Sequence, residues 1–266
     1  TRAITGPELR TIFLGMDQKR DELLYSNVKG KNPFKDKRVR QAVYQAIDID
    51  AIVKNTMRGQ AQATGCVTPS PLGCFAELEN RAFKYDVAAA RKLLEDAGYP
   101  QGFDVGLDCP NNRYVNDEEI CIAVSGMLAK VGIRVKLTAM PRAQYFPKLE
   151  KLDTSFYMLG WGGSITDAQT LLDPILHSPP SATHKKGSWN FGRFSNAKLD
   201  QLIDAAGEET NPAKRRETVR QALLEEREQV HNIPLHRQFI PWAARSQVEV
   251  KHYADNFVRA WTMSVK

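Results

Sequence analysis

Nothing in this 266-residue sequence approaches the roughly eighteen consecutive apolar residues of a membrane-crossing helix. The common nucleotide and hydrolase signatures are missing too: there is no GxGxxG, no P-loop and no GxSxG. No CxxC occurs and no histidine clusters with the cysteines, which argues against zinc. His177 and His184 lie in a Ser/Pro-rich loop, and His231 and His236 flank a helix-to-strand junction. All four read as surface or capping histidines, His231 beside a helix C-terminus where a cation is favoured. No isolated carboxylate pair stands in an apolar setting, so general acid–base catalysis has no candidate. A secretory leader is also lacking. TRAITGPELRTIFLGMDQ has no initiator Met and reads as mid-protein sequence entering a strand, so a processed chain or a piece of a longer one is expected.

What is present is ordinary for a globular chain: 42% hydrophobic and 26% charged residues, enough for one large domain or two modest ones. The net charge of +6 favours acidic partners only moderately, because 31 acidic residues are interspersed with 37 basic ones. The four cysteines form two local pairs. Cys66 and Cys74 bracket the loop VTPSPLG, whereas Cys109 ends a strand-like run and Cys121 lies in the first turns of the next helix. Two disulfides and an oxidising compartment are expected, against the alternative of four buried free thiols.

The stretch NPFKDKRVRQAVYQAIDIDAIVKNTMRGQA carries Lys35, Lys37, Arg38 and Arg40 close together, which raises the possibility of an anion grip. Its periodicity argues otherwise. Val39, Ala42, Val43, Ala46 and Ile47 make a helical stripe capped by Asp36, and Asp48 caps a second helix ended by Gly59. The basic residues fall largely off the stripe and read as solvated surface. Further on, Asp86 caps YDVAAARKLLEDAGYP, and FDVGLDC is a strand. NDEEICIAVSGMLAKVG is a helix with Asn116 and Glu119 at cap-box-like spacing. GIRVKLTAM alternates as a half-buried strand, and the apolar run SFYMLGW reads as a fully buried one. Two more helices follow, near 196–206 and from the Asn211 cap with Pro212 at its first position; strand-like segments close the chain. The strand–helix rhythm predicts an α/β fold with a largely parallel sheet.

The segment GWGGSITDAQTLLDPILHS is the main candidate for chemistry. A buried strand delivers Trp161 into a Gly-Gly turn, and the C-terminal ends of strands in open α/β sheets line the ligand crevice. Gly162 and Gly163 leave backbone groups free to face a ligand, and Trp161 supplies an amphipathic wall. The alternative is a core Trp followed by an ordinary loop.

Five strings in order (NPFKDKRVRQAVYQAIDIDAIV, YDVAAARKLLEDAGYPQGF, LAKVGIRVKL, MLGWGGSITDAQTLL and HNIPLHRQ) resemble the C-terminal half of the family 5 extracellular solute-binding proteins. These are the peptide/nickel-type receptors of ABC importers, and the resemblance extends over nearly the whole chain. It implies the C-terminal lobe of a type II periplasmic binding protein, with a mixed sheet flanked by helices. It also implies a non-enzymatic, cofactor-free, periplasmic receptor that closes two lobes around a peptide or similar small polar solute and serves a permease with ATPase subunits. Residues 1–30 would then be strand and linker from the first lobe, 31–232 the second lobe, and 233–266 return strands toward a first lobe outside this sequence. Those return strands, from about Ile233, would lack their natural sheet partners and expose pairing edges.

Dipeptide binders in the family use a Trp-x-x-Asp carboxylate at this place to hold the peptide ammonium. Here the string is Trp161-Gly162-Gly163-Ser164, with Asp167 three residues on, so the acid is replaced by a hydroxyl. In CPNNRYVND, Arg113 matches the place of an Arg for the ligand carboxylate, displaced by a residue or two; its alternative is a surface arginine. Tyr114 would be a neighbouring wall, and Trp189 lies after a loop able to approach the cleft. Two other classes remain beside this one. An enzyme on an α/β scaffold needs a base and a nucleophile near Trp161, and a basic nucleic-acid-binding domain predicts salt-dependent DNA affinity through the Lys35–Arg40 cluster. No aromatic residues interleave with that cluster.

Overall fold

Apolar residues on both faces of the central strands divide the molecule into three layers. The computed structural model describes residues 1–69, 73–162 and 165–266. In chain order the elements are β1 (Arg2–Met16), α1 (Lys37–Ala46), α2 (Ile49–Ala51, continuing as a π turn through Thr56), β2 (Ala61–Ala63), α3 (Ala76–Glu79), α4 (Val87–Asp96), β3 (Asp104–Pro110), α5 (Asp117–Ala129), β4 (Arg134–Met140), α6 (Arg142–Glu150), β5 (Phe156–Gly162), α7 (Gln169–Leu171, continuing as a π turn through Leu176), α8 (Ala197–Glu208), α9 (Pro212–Gln229), β6 (Asn232–Ala244), β7 (Val248–Glu249) and β8 (Ser264–Val265). Six strands form one sheet in the order β2-β6-β1-β5-β3-β4. β3 runs parallel to β4 and β5, while β1 is antiparallel to both β5 and β6. The sheet is therefore mixed rather than largely parallel.

Alternation sorts the side chains. Ile12, Leu14, Met16, Phe156, Met158, Ile233 and Leu235 face a core that includes Val39 and Val43 of α1, Leu94 of α4, and Val124 and Leu128 of α5. Phe13, Tyr157 and Leu159 face the opposite core, with Tyr145 and Leu149 of α6, Leu199 and Ile203 of α8, and Val219 and Leu223 of α9. Burial on both faces is why SFYMLGW reads as an unbroken apolar run. Among the described residues no helix is long and apolar enough to cross a membrane.

Four sequence expectations change. First, the segment from Ile233 onward is not left without sheet partners. Arg10–Met16 pairs with β5, and β6 is paired on both sides, by β1 and by β2, so Ile233 onward has sheet partners within this chain. Only the outer halves, Arg2–Pro7 against Phe239–Ala244, run on as a two-stranded ribbon beyond β5. Second, Arg40 is not solvated. It is 4% exposed and donates to the carbonyls of Phe34, Lys35, Gln229 and Val230. Its neighbours pair within the chain: Lys35 with Asp21, Lys37 with Glu228, and Arg38 with Asp36. The basic stretch is a solvated edge plus one buried strut.

Third, His177, His231 and His236 are buried, not on the surface. His231 stacks on Phe194 at 4.4 Å and is held neutral by burial, so it places no cation at the end of α9. Fourth, Cys109 and Cys121 form the expected disulfide, whereas Cys66 and Cys74 are buried free thiols. The Cys66 thiol is engaged with the Thr68 hydroxyl at 3.1 Å and lies within hydrogen-bond reach of Cys74.

Candidate ligand-binding site

The parallel strands β3, β4 and β5 end at one edge of the sheet, where the crevice rule places a ligand. Three segments meet there. The first is the β3–α5 loop. Asn116 adopts a left-handed conformation and makes no cap bond, so the expected cap box does not form. Asp117 organises the loop instead: its carboxylate accepts the backbone N–H groups of Arg113 (2.8 Å) and Tyr114 (2.9 Å). The Cys109–Cys121 disulfide ties the end of β3 to α5 just beneath.

The second segment is the end of β5. The Gly160 N–H donates to the Tyr114 hydroxyl at 2.8 Å, which locks the ring under the strand. A Cβ at Gly160 would stand 2.8 Å from that ring and 2.5 Å from Ile12, so only glycine permits the approach. The third is β1, whose antiparallel register sets Arg10 opposite Gly162. Arg10 donates to Glu8 (3.0 Å) and to the Gly160 carbonyl (3.2 Å).

The three segments enclose a cavity of about 250 Å³, lined by Arg10, Arg113, Tyr114, Phe146, Trp161 and Trp189 together with the β5 backbone. The Trp161 indole N–H donates to the Thr170 carbonyl at 2.8 Å, which fixes the ring and leaves its faces for packing. Trp189 lies 5.2 Å from Trp161, centroid to centroid, and contacts Phe146 at 6.0 Å. Both guanidinium groups approach the Tyr114 ring, Arg113 at 5.0 Å and Arg10 at 5.9 Å. Arg113 is half-buried and its side chain has no hydrogen-bond or ion-pair partner among the described residues. Burial, reinforced by the nearby Arg10 charge, pushes its pKa down.

Of the residues expected at the site, Arg113, Tyr114, Trp161 and Gly162 converge on this cavity. Gly163 and Ser164 lie outside the described residues. Asp167 turns elsewhere. It is ion-paired with Arg215 at 2.9 Å, accepts the Gln169 N–H, and lines a separate hollow with Phe75, Arg216 and Val219. The Arg215 hydrogen bond holds its carboxyl below the usual range. It therefore lies outside the cavity lined by Trp161 and Arg113. Arg10 and Phe146 were not anticipated. No local pattern marks them, and Arg10 reaches the site only through β-sheet register across some 150 residues.

Residues 1–183 match the family described as Bacterial extracellular solute-binding proteins, family 5 Middle. The chain belongs to this family. The glutathione-binding protein GsiB of Escherichia coli (strain K12) is 30% identical over 194 residues, which covers 70% of this chain and 36% of that protein. The GsiB protein of Salmonella typhi is 30% identical over 201 residues, 72% of this chain and 37% of that one. Among solved structures, the dipeptide binding protein from Pseudoalteromonas sp. SM9913 in complex with Met-Leu aligns with a TM-score of 0.82 at 19% identity, over all of this chain and 50% of its own. AgaA of A. tumefaciens R10 in complex with agropinic acid gives 0.77 at 24% identity, covering 93% of this chain and 48% of its own. The solved structures share the fold: a mixed sheet flanked by helices, the lobe architecture of periplasmic binding proteins. The chain spans between about a third and a half of the length of these relatives.

Proposed function

We propose that this chain is one lobe of a periplasmic receptor for an ABC importer, binding a peptide or similar small polar solute reversibly between two lobes. The observation that carries the reading is the cavity at the sheet edge. It combines an Arg113 that is half-buried and unpaired among the described residues with two indoles, yet at about 250 Å³ it is smaller than sites that enclose a whole ligand. A second wall would complete it, supplied by a first lobe reached through the Arg2–Pro7/Phe239–Ala244 ribbon. Closure follows when the solute binds the closed form better than the open one. The permease and ATPase subunits are separate partners, and no nucleic acid is involved, since the basic cluster is paired within the chain. Relatives named for glutathione, Met-Leu and agropinic acid support a small polar solute.

The test is a thermal-shift screen of di- and tripeptides and small organic acids against the receptor carrying both lobes. A true solute at a hundredfold excess over its Kd adds about 2.7 kcal/mol and raises Tm by several degrees. No stabilisation by any member of the panel would count against a receptor for such solutes.

A further inference from the structure

A buried side chain of β6, Gln238, ties the β3–α5 loop to the base of the ribbon. Gln238 is 3% exposed. Its carbonyl oxygen accepts the Val115 N–H at 3.2 Å, and its amide nitrogen donates to the Glu8 carboxylate at 2.6 Å. The partners fix that orientation, because a backbone N–H only donates and an ionised carboxylate only accepts. Glu8, itself 6% exposed, also takes the Arg10 Nε–H at 3.0 Å, and Arg10 donates on to the Gly160 carbonyl at 3.2 Å. A continuous chain of hydrogen bonds therefore runs from the loop to β1 and on to the end of β5. It meets β1 where that strand is irregular. Pro7 lies opposite Phe239 and Thr11 opposite Arg237, so Glu8, Leu9 and Arg10 together face Gln238. The Leu9 N–H leaves the ladder and donates to the Ala254 carbonyl at 2.7 Å. The bulge falls at the last pairing of β1 with β5, Arg10 with Gly162, where the ribbon leaves the sheet. Bulges bend a strand and increase its local twist, so this one sets the direction in which the ribbon departs.

We propose that Gln238 is a positioning residue that couples the conformation of the 113–117 loop to the direction in which the ribbon leaves the sheet. This rests on the receptor reading above, in which the loop faces the solute and the ribbon leads to the first lobe. A shift of the loop has two outcomes. Either it carries Gln238, Glu8 and the bulge with it, or it leaves the Val115 N–H and the Gln238 carbonyl without partners, which is costly in a buried setting. A solute that orders the loop thereby favours one ribbon direction, and by linkage a ribbon held in that direction favours the solute. The side-chain type is specific to this role. Methionine fills the space but makes neither bond, and glutamate sets two carboxylates against each other at the Glu8 end.

The test is amide hydrogen exchange, followed by NMR on the 266-residue chain, and it requires no solute. Asn116→Gly loosens the loop. It removes the 2.9 Å bond from the Asn116 side-chain amide to the Thr56 carbonyl, and glycine keeps the left-handed backbone without strain. The expected result is exchange at least threefold faster in the loop (113–115) and also in the ribbon (3–6 and 242–244), with β4 unchanged as the reference for global unfolding. In a Gln238→Met background, Asn116→Gly should still speed the loop but leave the ribbon unmoved. The reciprocal swap, Glu8→Gln with Gln238→Glu, again sets an amide donor against a carboxylate that accepts the Val115 N–H. It should return the ribbon response, which a side chain that merely fills space would not do. Gln238→Glu alone breaks the Glu8 end at nearly constant size and takes the place of Gln238→Met if that variant does not fold. The coupling is overturned by a ribbon that ignores Asn116→Gly in the parent, by a response that persists in Gln238→Met, or by a swap that does not return it. Each of these results leaves the receptor reading standing, and an empty thermal-shift screen would sink that reading without touching the exchange data.

Discussion

Replacing Arg40 by Met lowers the unfolding free energy by about 3–5 kcal/mol, the range expected when a buried charged group is removed from its partners. The guanidinium forks between two segments far apart in sequence. It donates to Phe34 (2.8 Å) and Lys35 (3.0 Å) at the start of α1, and to Gln229 (2.7 Å) and Val230 (3.1 Å) at the end of α9. The latter two are carbonyls that helix geometry leaves without partners, at the negative end of the dipole. Burial pushes the Arg40 pKa down to about 10, so it remains charged at neutral pH. Met fills the aliphatic space but orphans four carbonyls, each worth about 1–3 kcal/mol when left buried and unsatisfied. The loss is offset in part by no longer burying a charge. Arg40→Lys recovers about half, because one ammonium cannot reach both pairs of carbonyls. Urea unfolding measures this directly; a loss under about 1 kcal/mol would show that water or rearrangement replaces the strut.

Stability peaks near pH 6.5 and falls on both sides. Burial lowers His231 to about 3 and His236 to about 4, from an ordinary 6.5. Below pH 6.5 the unfolded chain binds two protons that the folded chain refuses, so their contribution, complete above 6.5, is lost as the pH falls toward 4. Glu226 moves the other way. Burial raises it to about 8, and the Asn232 N–H at 3.3 Å offsets this only slightly. Its contribution is complete below 4.5 and is lost as the pH rises toward 8. Between pH 4.5 and 6.5 the unfolded chain therefore holds a net excess of one proton, and between 6.5 and 8 a deficit of one. The slope is about 1.4 kcal/mol per pH unit on each limb, with opposite signs. About 3 kcal/mol is lost by pH 4.5 and about 2 kcal/mol by pH 8. Glu226→Gln removes the alkaline limb and His236→Phe reduces the acid one. Denaturation midpoints that stay flat from pH 5 to 8 would contradict these assignments.

The parts of the fold legible in the sequence are those governed by local chemistry. Asp36, Asp48, Asp86, Asn196 and Asn211 all cap helices through their side chains, as short-range rules require. The stripe of α1 is buried where periodicity placed it. The failures are residues whose environment is built by distant chain. Arg40 sits beside the α1 stripe and looks solvated until the α9 terminus, some 190 residues on, closes over it. Asn116 occupies a cap position, but its left-handed conformation removes its cap role. Trp161 was visible because strand ends predict crevices, and Arg113 because the family resemblance implies an arginine there. Arg10 was not, because only the β1–β5 register brings it there.

In the receptor proposed above, a solute rests on the Arg113–Trp161 wall between two lobes. Native mass spectrometry compares the receptor carrying both lobes, purified from its own host without refolding, with its Arg113→Gln variant. A small solute is expected to be retained by the parent and lost from the variant. An equal load on both proteins, or a parent that is always empty, would contradict it.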